Sequence, residues 1–216
     1  MIISPSFLSC DFSKLKSEIL SVSHAKWLHF DVMDGIFVKN KTYDYHQLKE
    51  IRAYSHQFFD CHLMIENPYE VIDQYIEAGA DLITFHYESN PSLVLKTIEK
   101  MKSKGVKVGL SIKPQTSVSS ITSFLPLVDL VLVMSVEPGA GGQKFLVSSL
   151  DKIKELDQLR TNNHYQYQIE VDGGINEETM KDVISSGADV LVMGSFIFNQ
   201  ENRNELIDRL ENYENN

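Results

Sequence analysis

Two histidines and two aspartates stand at the ends of three apolar, β-branched segments of this chain. One segment closes His29-Phe30-Asp31-Val32-Met33-Asp34-Gly35, another Asp60-Cys61-His62-Leu63-Met64, and a third Glu170-Val171-Asp172-Gly173-Gly174. Side chains alternate between the faces of a strand, so His29 and Asp31 share one face while Phe30 and Val32 take the other. If the three segment ends meet, His29, Asp31, His62 and Asp172 make a two-imidazole, two-carboxylate set. Such a set suits one divalent transition metal ion per chain, Zn, Fe, Mn or Co, without choosing among them. A lone strand histidine is more often a hydrogen-bonded core residue. Four potential ligands buried together, however, are costly unless a cation neutralises them. Asp34, beside Gly35, reads as a turn residue, and His86 as either a support for the set or a structural residue.

Glycine turns supply a second kind of chemistry. Pro138-Gly139-Ala140-Gly141-Gly142-Gln143, Asp172-Gly173-Gly174 and Gly194-Ser195 each follow an apolar segment. Main-chain N–H groups in such turns can hold a phosphate without a basic side chain. That matters here, because 20 Lys and Arg against 30 Asp and Glu leave a formal charge of −10. The same balance argues against nucleic acid as a partner. Met33, Met64 and Met134 also fall at segment ends, either as core filling or as a polarizable lining for a planar anion. Lys39 and Lys113 lie near the same ends and read as surface lysines rather than Schiff-base formers.

The elements that must position these groups are legible as a pattern. Eight strand-length runs, at residues 2–8, 27–32, 58–64, 82–86, 106–112, 130–134, 167–171 and 190–193, alternate with stretches of helical apolar spacing. Asn67 before Pro68 reads as a helix start, and Gly79 and Gly187 as helix stops. Residues 117–123 read as a Ser/Thr-rich helix, 162–164 as a polar turn and 214–216 as a fraying end. Gly79-Ala80-Asp81 and Gly187-Ala188-Asp189 recur four units apart if each β/α unit takes about 27 residues. Eight units fill the chain, which predicts one (β/α)8 TIM barrel domain over residues 1–216, with helices outside a closed parallel sheet and chemistry at the C-terminal strand ends. A composition of 43% hydrophobic and 23% charged residues suits one soluble domain. The start of the chain carries no basic leader, and no apolar run approaches the roughly 20 residues that span a bilayer. A cytoplasmic protein without a membrane partner is expected. Cys10 and Cys61 share no short-spacing motif, so two thiols are expected rather than a disulfide.

The segments that carry this chemistry are similar to the signature segments of the ribulose-phosphate 3-epimerase family. They are Ser4 through Phe12, His29 through Gly35, His62-Leu63-Met64, Met134-Ser135-Val136 with Pro138 through Gln143, Glu170 through Ile175, and Gly187 through Ser195. The resemblance implies a metal-dependent isomerase that interconverts D-ribulose 5-phosphate and D-xylulose 5-phosphate through an enediolate. It implies His29, Asp31, His62 and Asp172 as metal ligands, with Asp31 and Asp172 doubling as the acid/base pair at C3. Ser6 and His62 would touch the substrate. Gly139, Ala140, Gly141, Gly142, Asp172, Gly173, Gly174, Gly194 and Ser195 would surround it and its phosphate. A homo-oligomer, dimer or hexamer, in the pentose phosphate pathway is implied in the same way.

Departures fall in the loops that would face the sugar: Lys39 precedes Asn40-Lys41-Thr42, Ala140 replaces a usual phenylalanine, and Lys113 replaces a common asparagine. They leave open a 3-epimerase of a hexulose phosphate such as D-allulose 6-phosphate, which kinetics with both sugars would separate. A lyase or decarboxylase using Lys113 would be trapped by borohydride. A phosphate-binding barrel without catalysis is the alternative of another class, and the four filled ligand positions weigh against it.

Overall fold

The computed structural model describes residues 1–213, so the fraying expected at 214–216 lies outside the described residues. Eight parallel strands form one sheet: β1 Ile2–Pro5, β2 Trp27–Met33, β3 Phe58–Met64, β4 Leu82–His86, β5 Lys107–Ile112, β6 Leu130–Met134, β7 Gln168–Asp172 and β8 Val190–Met193. Their order, β1-β8-β7-β6-β5-β4-β3-β2, is that of a barrel, and a parallel bridge between Ser6 and His29 joins β1 to β2. The helices outside it are α1 Leu15–Ser21, α2 Tyr45–Arg52, α3 Pro68–Ala78, α4 Val94–Ser103, α5 Ser149–Asn163, α6 Thr179–Ser185, α7 Ser195–Phe198 and α8 Arg203–Glu211.

Alternation along each strand divides the side chains into two populations. Phe30 and Val32, Cys61 and Leu63, Ile83 and Phe85, and Val131 and Val133 point outward into one buried cluster with the helices. Their neighbours point into the barrel. On β6 and β8 these are apolar, Leu130, Leu132, Met134 and Val190, packed with Trp27 and Leu82 at the starts of β2 and β4. Farther along β2, β3, β4 and β7 the inward positions carry His29, Asp60, His62, Thr84, His86 and Glu170, every one of them fully buried. The ionisable interior groups thus come from β2, β3, β4 and β7 and not from β6 or β8.

The Gly-Ala-Asp repeat has a common structural job. Arg52 donates to the Gly79 carbonyl and pairs with Asp81, whose carboxylate accepts the Phe59 N–H at 2.7 Å. Arg160, 108 positions later, donates to the Gly187 carbonyl and pairs with Asp189, which accepts the Ile169 N–H at 2.7 Å. Each arginine ties a helix end to the start of a strand at the bottom of the barrel, away from the site. Gly79 closes α3 in the left-handed region at φ 102°, a conformation that favours glycine.

Three local expectations need correction. The first strand stops at Pro5 rather than residue 8, because the chain turns at Ser6, which caps a 3-10 turn, Phe7–Ser9, by accepting the Leu8 N–H. Residues 117–123 form no α-helix. Only 3-10 turns, Val118–Ser120 and Leu125–Leu127, join β5 to β6, since the hydroxyls of Ser117, Ser119 and Ser120 bond one another and Pro126 interrupts. The turn at 162–164 begins later, because α5 runs through Asn163 and His164 takes the left-handed cap at φ 57°. Asn67 does precede α3, with Pro68 at the first position, but its side chain makes no capping bond.

One close approach inside the barrel gives a direct test of this packing. A Cβ added at Gly109 on β5 would overlap Thr84 Oγ1 and stand 2.8 Å from Thr84 Cβ. Gly109→Ala is expected to cost ~1–3 kcal/mol of stability, read as a lower urea midpoint at unchanged slope. A midpoint equal to the parent's would contradict this placement of β5 against β4.

Candidate active site

The strand ends of β2, β3 and β7 bring His29, Asp31, His62 and Asp172 together: one ligand atom from each lies within 4.8 Å of all the others. Asp31 is the hub. Its Oδ1 stands 3.0 Å from His62 Nδ1 and 3.3 Å from His29 Nε2, and its Oδ2 accepts the Ser6 hydroxyl at 2.6 Å. Asp172 Oδ2 lies 3.9 Å from the same His62 nitrogen.

The donor chemistry of this set fits a metal ion. His29 Nδ1 sits 2.6 Å from Asp60 Oδ2, so the neutral ring keeps its proton on Nδ1 and offers the Nε2 lone pair to the cluster, and a cation binding there displaces the second proton of the charged ring. That Nε2 is buried and has no hydrogen-bond partner among the described residues. An orphaned, oriented imidazole nitrogen beside two carboxylates is what a cation site requires. A second group, His29, Asp60 and Glu170, lies deeper in the barrel. It supports the first set from below, because His29 belongs to both.

The charges of the site are pushed apart. Burial drives the Asp31 carboxyl up, but His29 and His62 more than reverse this and hold it well below the ordinary carboxylate range. Burial, then the Asp31 charge, raises Asp172 to about 6. Burial opposes charge on His29 as well, yet Asp60 and Asp31 beside it raise its pKa well above that of a free imidazole. Glu170 moves far up through burial and the Asp60 carboxylate. One carboxylate ready to accept a proton and another inclined to hold one are the ingredients of paired acid/base chemistry.

Asp31 and Asp172 open onto a cavity of about 570 Å³ at the C-terminal ends of the strands, behind which His29, His62 and Glu170 are fully buried. Ser6, Asp31 and Asp172 line its floor, with Met33, Met64 and Met134 beside them. Met33 and Met64 also pack with Val38, Leu8 and Phe37 under the loop that follows β2. Gly139, Ala140, Gly141 and Gly142 form one wall, and Gly173, Gly174, Gly194 and Ser195 another. Gly174 adopts φ 67°, and a Cβ there would meet the Gln143 carbonyl and the Phe145 backbone at 2.9 Å. Only glycine lets these two turns touch. Ser195 opens α7; the Ile197 and Phe198 N–H groups donate to the Gly194 carbonyl, while those of Ser195 and Phe196 have no acceptor within the helix.

The remaining sequence candidates fall outside the cluster. Asp34 accepts the N–H groups of Ile36, Phe37 and Glu66, which is the turn role expected of it. Lys39 is exposed, and Lys113 sets its Nζ 3.9 Å over the Phe37 ring, away from the cavity lining. His86 lies against His62, with 2.9 Å between the two Nε2 atoms.

Sequence reasoning missed Asp60, Thr84 and Glu170 as members of the site. The signal was the two-residue step that already paired His29 with Asp31. Asp60 precedes His62, Thr84 precedes His86 and Glu170 precedes Asp172 by the same interval, so each pair shares the inward face.

Comparison with known proteins identifies a family. Residues 2–198 match the model of the "Ribulose-phosphate 3 epimerase family". The ribulose-phosphate 3-epimerase of Treponema pallidum is 43% identical over 91% of this chain and 90% of its own length. That of Bacillus subtilis is 42% identical over 96% of this chain and 97% of its own. Among solved structures, 3-hexulose-6-phosphate synthase from Salmonella typhimurium superposes with a TM-score of 0.75 at 18% identity, covering 97% of this chain and 96% of that one. At that identity the likeness concerns the barrel alone.

Proposed function

The chain belongs to the ribulose-phosphate 3-epimerase family, and on that premise we propose that it interconverts D-ribulose 5-phosphate and D-xylulose 5-phosphate by proton transfer at C3 between Asp31 and Asp172. The observation that carries the reading is the meeting of these two carboxylates, from strands separated by β1 and β8, on the floor of one cavity. His29, Asp31, His62 and Asp172 would hold one divalent transition metal ion. When bound, such an ion supplies Lewis acidity to the ketose oxygens, which brings the C3 proton within the range of a carboxylate base.

The chain's own residues do the rest. Asp31 accepts the C3 proton in one direction, its carboxylate fixed by the Ser6 hydroxyl at Oδ2. Asp172 delivers a proton to the other face, and the two exchange roles in reverse. The planar enediolate lies against Met33, Met64 and Met134, whose thioethers are polarizable and exclude water. Turns at Gly141-Gly142, Gly173-Gly174 and Gly194-Ser195 take the phosphate through main-chain N–H groups, as the acidic composition requires. A dimer or hexamer belongs to the same proposal and rests on family membership.

The phosphate assignment has its own test. Gly142 sits at φ 73° with no atom within 4 Å of an added Cβ, so a side chain there projects into open cavity. Gly142→Val is expected to raise KM for ribulose 5-phosphate about tenfold, roughly 1.4 kcal/mol of binding, while metal content stays at the parental level. Equal turnover of ribulose and ribulose 5-phosphate by the parent protein would rule the phosphate site out. The reading as a whole is tested by metal analysis of purified protein followed by an epimerisation assay on ribulose 5-phosphate.

A further inference from the structure

Behind the cluster, a line of polar contacts runs from His62 to a carboxylate in the turn after β4. His62 Nε2 and His86 Nε2 are 2.9 Å apart, which admits one proton between two imidazoles. His86 Nδ1 lies 3.2 Å from Glu88 Oε2. The other oxygen of Glu88, Oε1, accepts the Lys113 N–H at 2.7 Å and the Thr116 hydroxyl. A backbone N–H can only donate, so Oε1 is fixed as an acceptor. The loop that presents these donors is itself pinned, because Lys152 Nζ donates to the carbonyls of Lys113 at 2.9 Å and Pro114 at 2.7 Å. Phe37 packs on the His86 ring at 4.9 Å between centroids and covers the line from above.

Direction follows from counting donors. A Glu88 carboxylate accepts from His86 Nδ1–H, which leaves His86 Nε2 as a bare acceptor. His62 must then supply the shared proton from its own Nε2. Its Nδ1 is then a lone pair 3.0 Å from Asp31 Oδ1 and 3.9 Å from Asp172 Oδ2, three acceptors that a cation between them would satisfy.

We propose that Glu88 is a positioning residue that sets the tautomer of His62 through His86, so that His62 presents Nδ1 and not an N–H to the metal. This rests on the reading of His62 as a ligand given above. His29 receives the equivalent service directly from Asp60 at 2.6 Å. His62 obtains it through one intervening imidazole, from a carboxylate anchored on the loop after β5.

Glu88→Gln tests the direction of the line rather than its presence. The amide oxygen must still meet the Lys113 N–H and the Thr116 hydroxyl, so the NH2 group turns toward His86 Nδ1. His86 then accepts at Nδ1 and carries its proton on Nε2, His62 accepts at Nε2, and the His62 proton is forced onto Nδ1. Zinc affinity, measured by chelator competition, is expected to fall about ten- to a hundredfold in Glu88→Gln. Glu88→Asp, which keeps a carboxylate, is expected to recover most of it. In the zinc-loaded parent, ¹⁵N chemical shifts of the imidazoles should place zinc on Nδ1 of His62 and the shared proton on its Nε2. That measurement needs no variant, so the proposal stays exposed even if Glu88→Gln does not fold. Zinc on His62 Nδ1 with the shared proton on His86 Nε2, or a Glu88→Gln protein of parental zinc affinity, would overturn the relay and leave the metal site standing. A parent protein that binds no zinc at His62 would overturn both.

Discussion

Asp31→Asn is expected to reduce turnover of D-ribulose 5-phosphate by about 10⁴-fold, the upper end of what one positioned base supplies. The geometry makes this change severe for two reasons. The carboxylate is the proposed base at C3, and an amide is no base. It also meets three groups at once, Ser6 at 2.6 Å, His62 at 3.0 Å and His29 at 3.3 Å. An asparagine has one acceptor oxygen, so its NH2 group must take either the place that accepts the Ser6 hydroxyl or the place, beside the two histidine lone pairs, that would ligate the ion. Either arrangement breaks the hub and weakens ion binding with it. Metal occupancy is therefore measured beside the rate, and the prediction concerns protein reloaded to parental metal content. A reloaded variant with turnover within tenfold of the parent's would remove Asp31 as the base.

Asp172→Asn carries the second large effect, and of a different kind. Asp172 lies farther from His62, at 3.9 Å, and its side chain is 17% exposed to the cavity. Its loss leaves the Asp31, Ser6, His29 and His62 contacts in place. Complete epimerisation is expected to fall by about 10³-fold, while Asp31 still removes and returns its own proton. In deuterated water the variant is then expected to exchange the C3 hydrogen of one epimer faster than it inverts that carbon. Equal loss of exchange and inversion would mean that the two aspartates do not serve separate faces. Metal-loaded Asp172→Asn protein that epimerises at the parental rate would take Asp172 out of the mechanism altogether.

The barrel was legible because its strands are β-branched runs bounded by turn residues, a pattern that survives without knowledge of register. Seven of the eight runs end within one residue of the observed strands at both ends or match them outright, as 58–64 matches Phe58–Met64 and 130–134 matches Leu130–Met134. The connection between β5 and β6 was misread, because serine hydroxyls that bond each other compete with the helix their spacing suggests. The four-residue cluster could be inferred because each member ends a strand, and all strand ends of a parallel barrel share one rim. The support beneath it could not be assembled in the same way. Asp60 reaches His29 because β2 and β3 pair with those two residues in register, and His86 reaches His62 from two positions beyond its neighbour Thr84. Glu88 is held by residues of the loop after β5, 25 and 28 positions away. Such contacts depend on register and loop path, and neither is written in residue type or spacing.

Deuterium labelling during the first turnovers of the unmodified, metal-loaded protein tests the central claim most directly. Two carboxylates acting on two faces of C3 require the proton that arrives to differ from the one that left. With D-ribulose 5-phosphate in deuterated water, the xylulose 5-phosphate formed first should carry solvent deuterium at C3 in every molecule, while unreacted ribulose 5-phosphate stays largely unlabelled. Product that keeps the substrate's own C3 hydrogen would contradict the assignment of Asp31 and Asp172 to opposite faces.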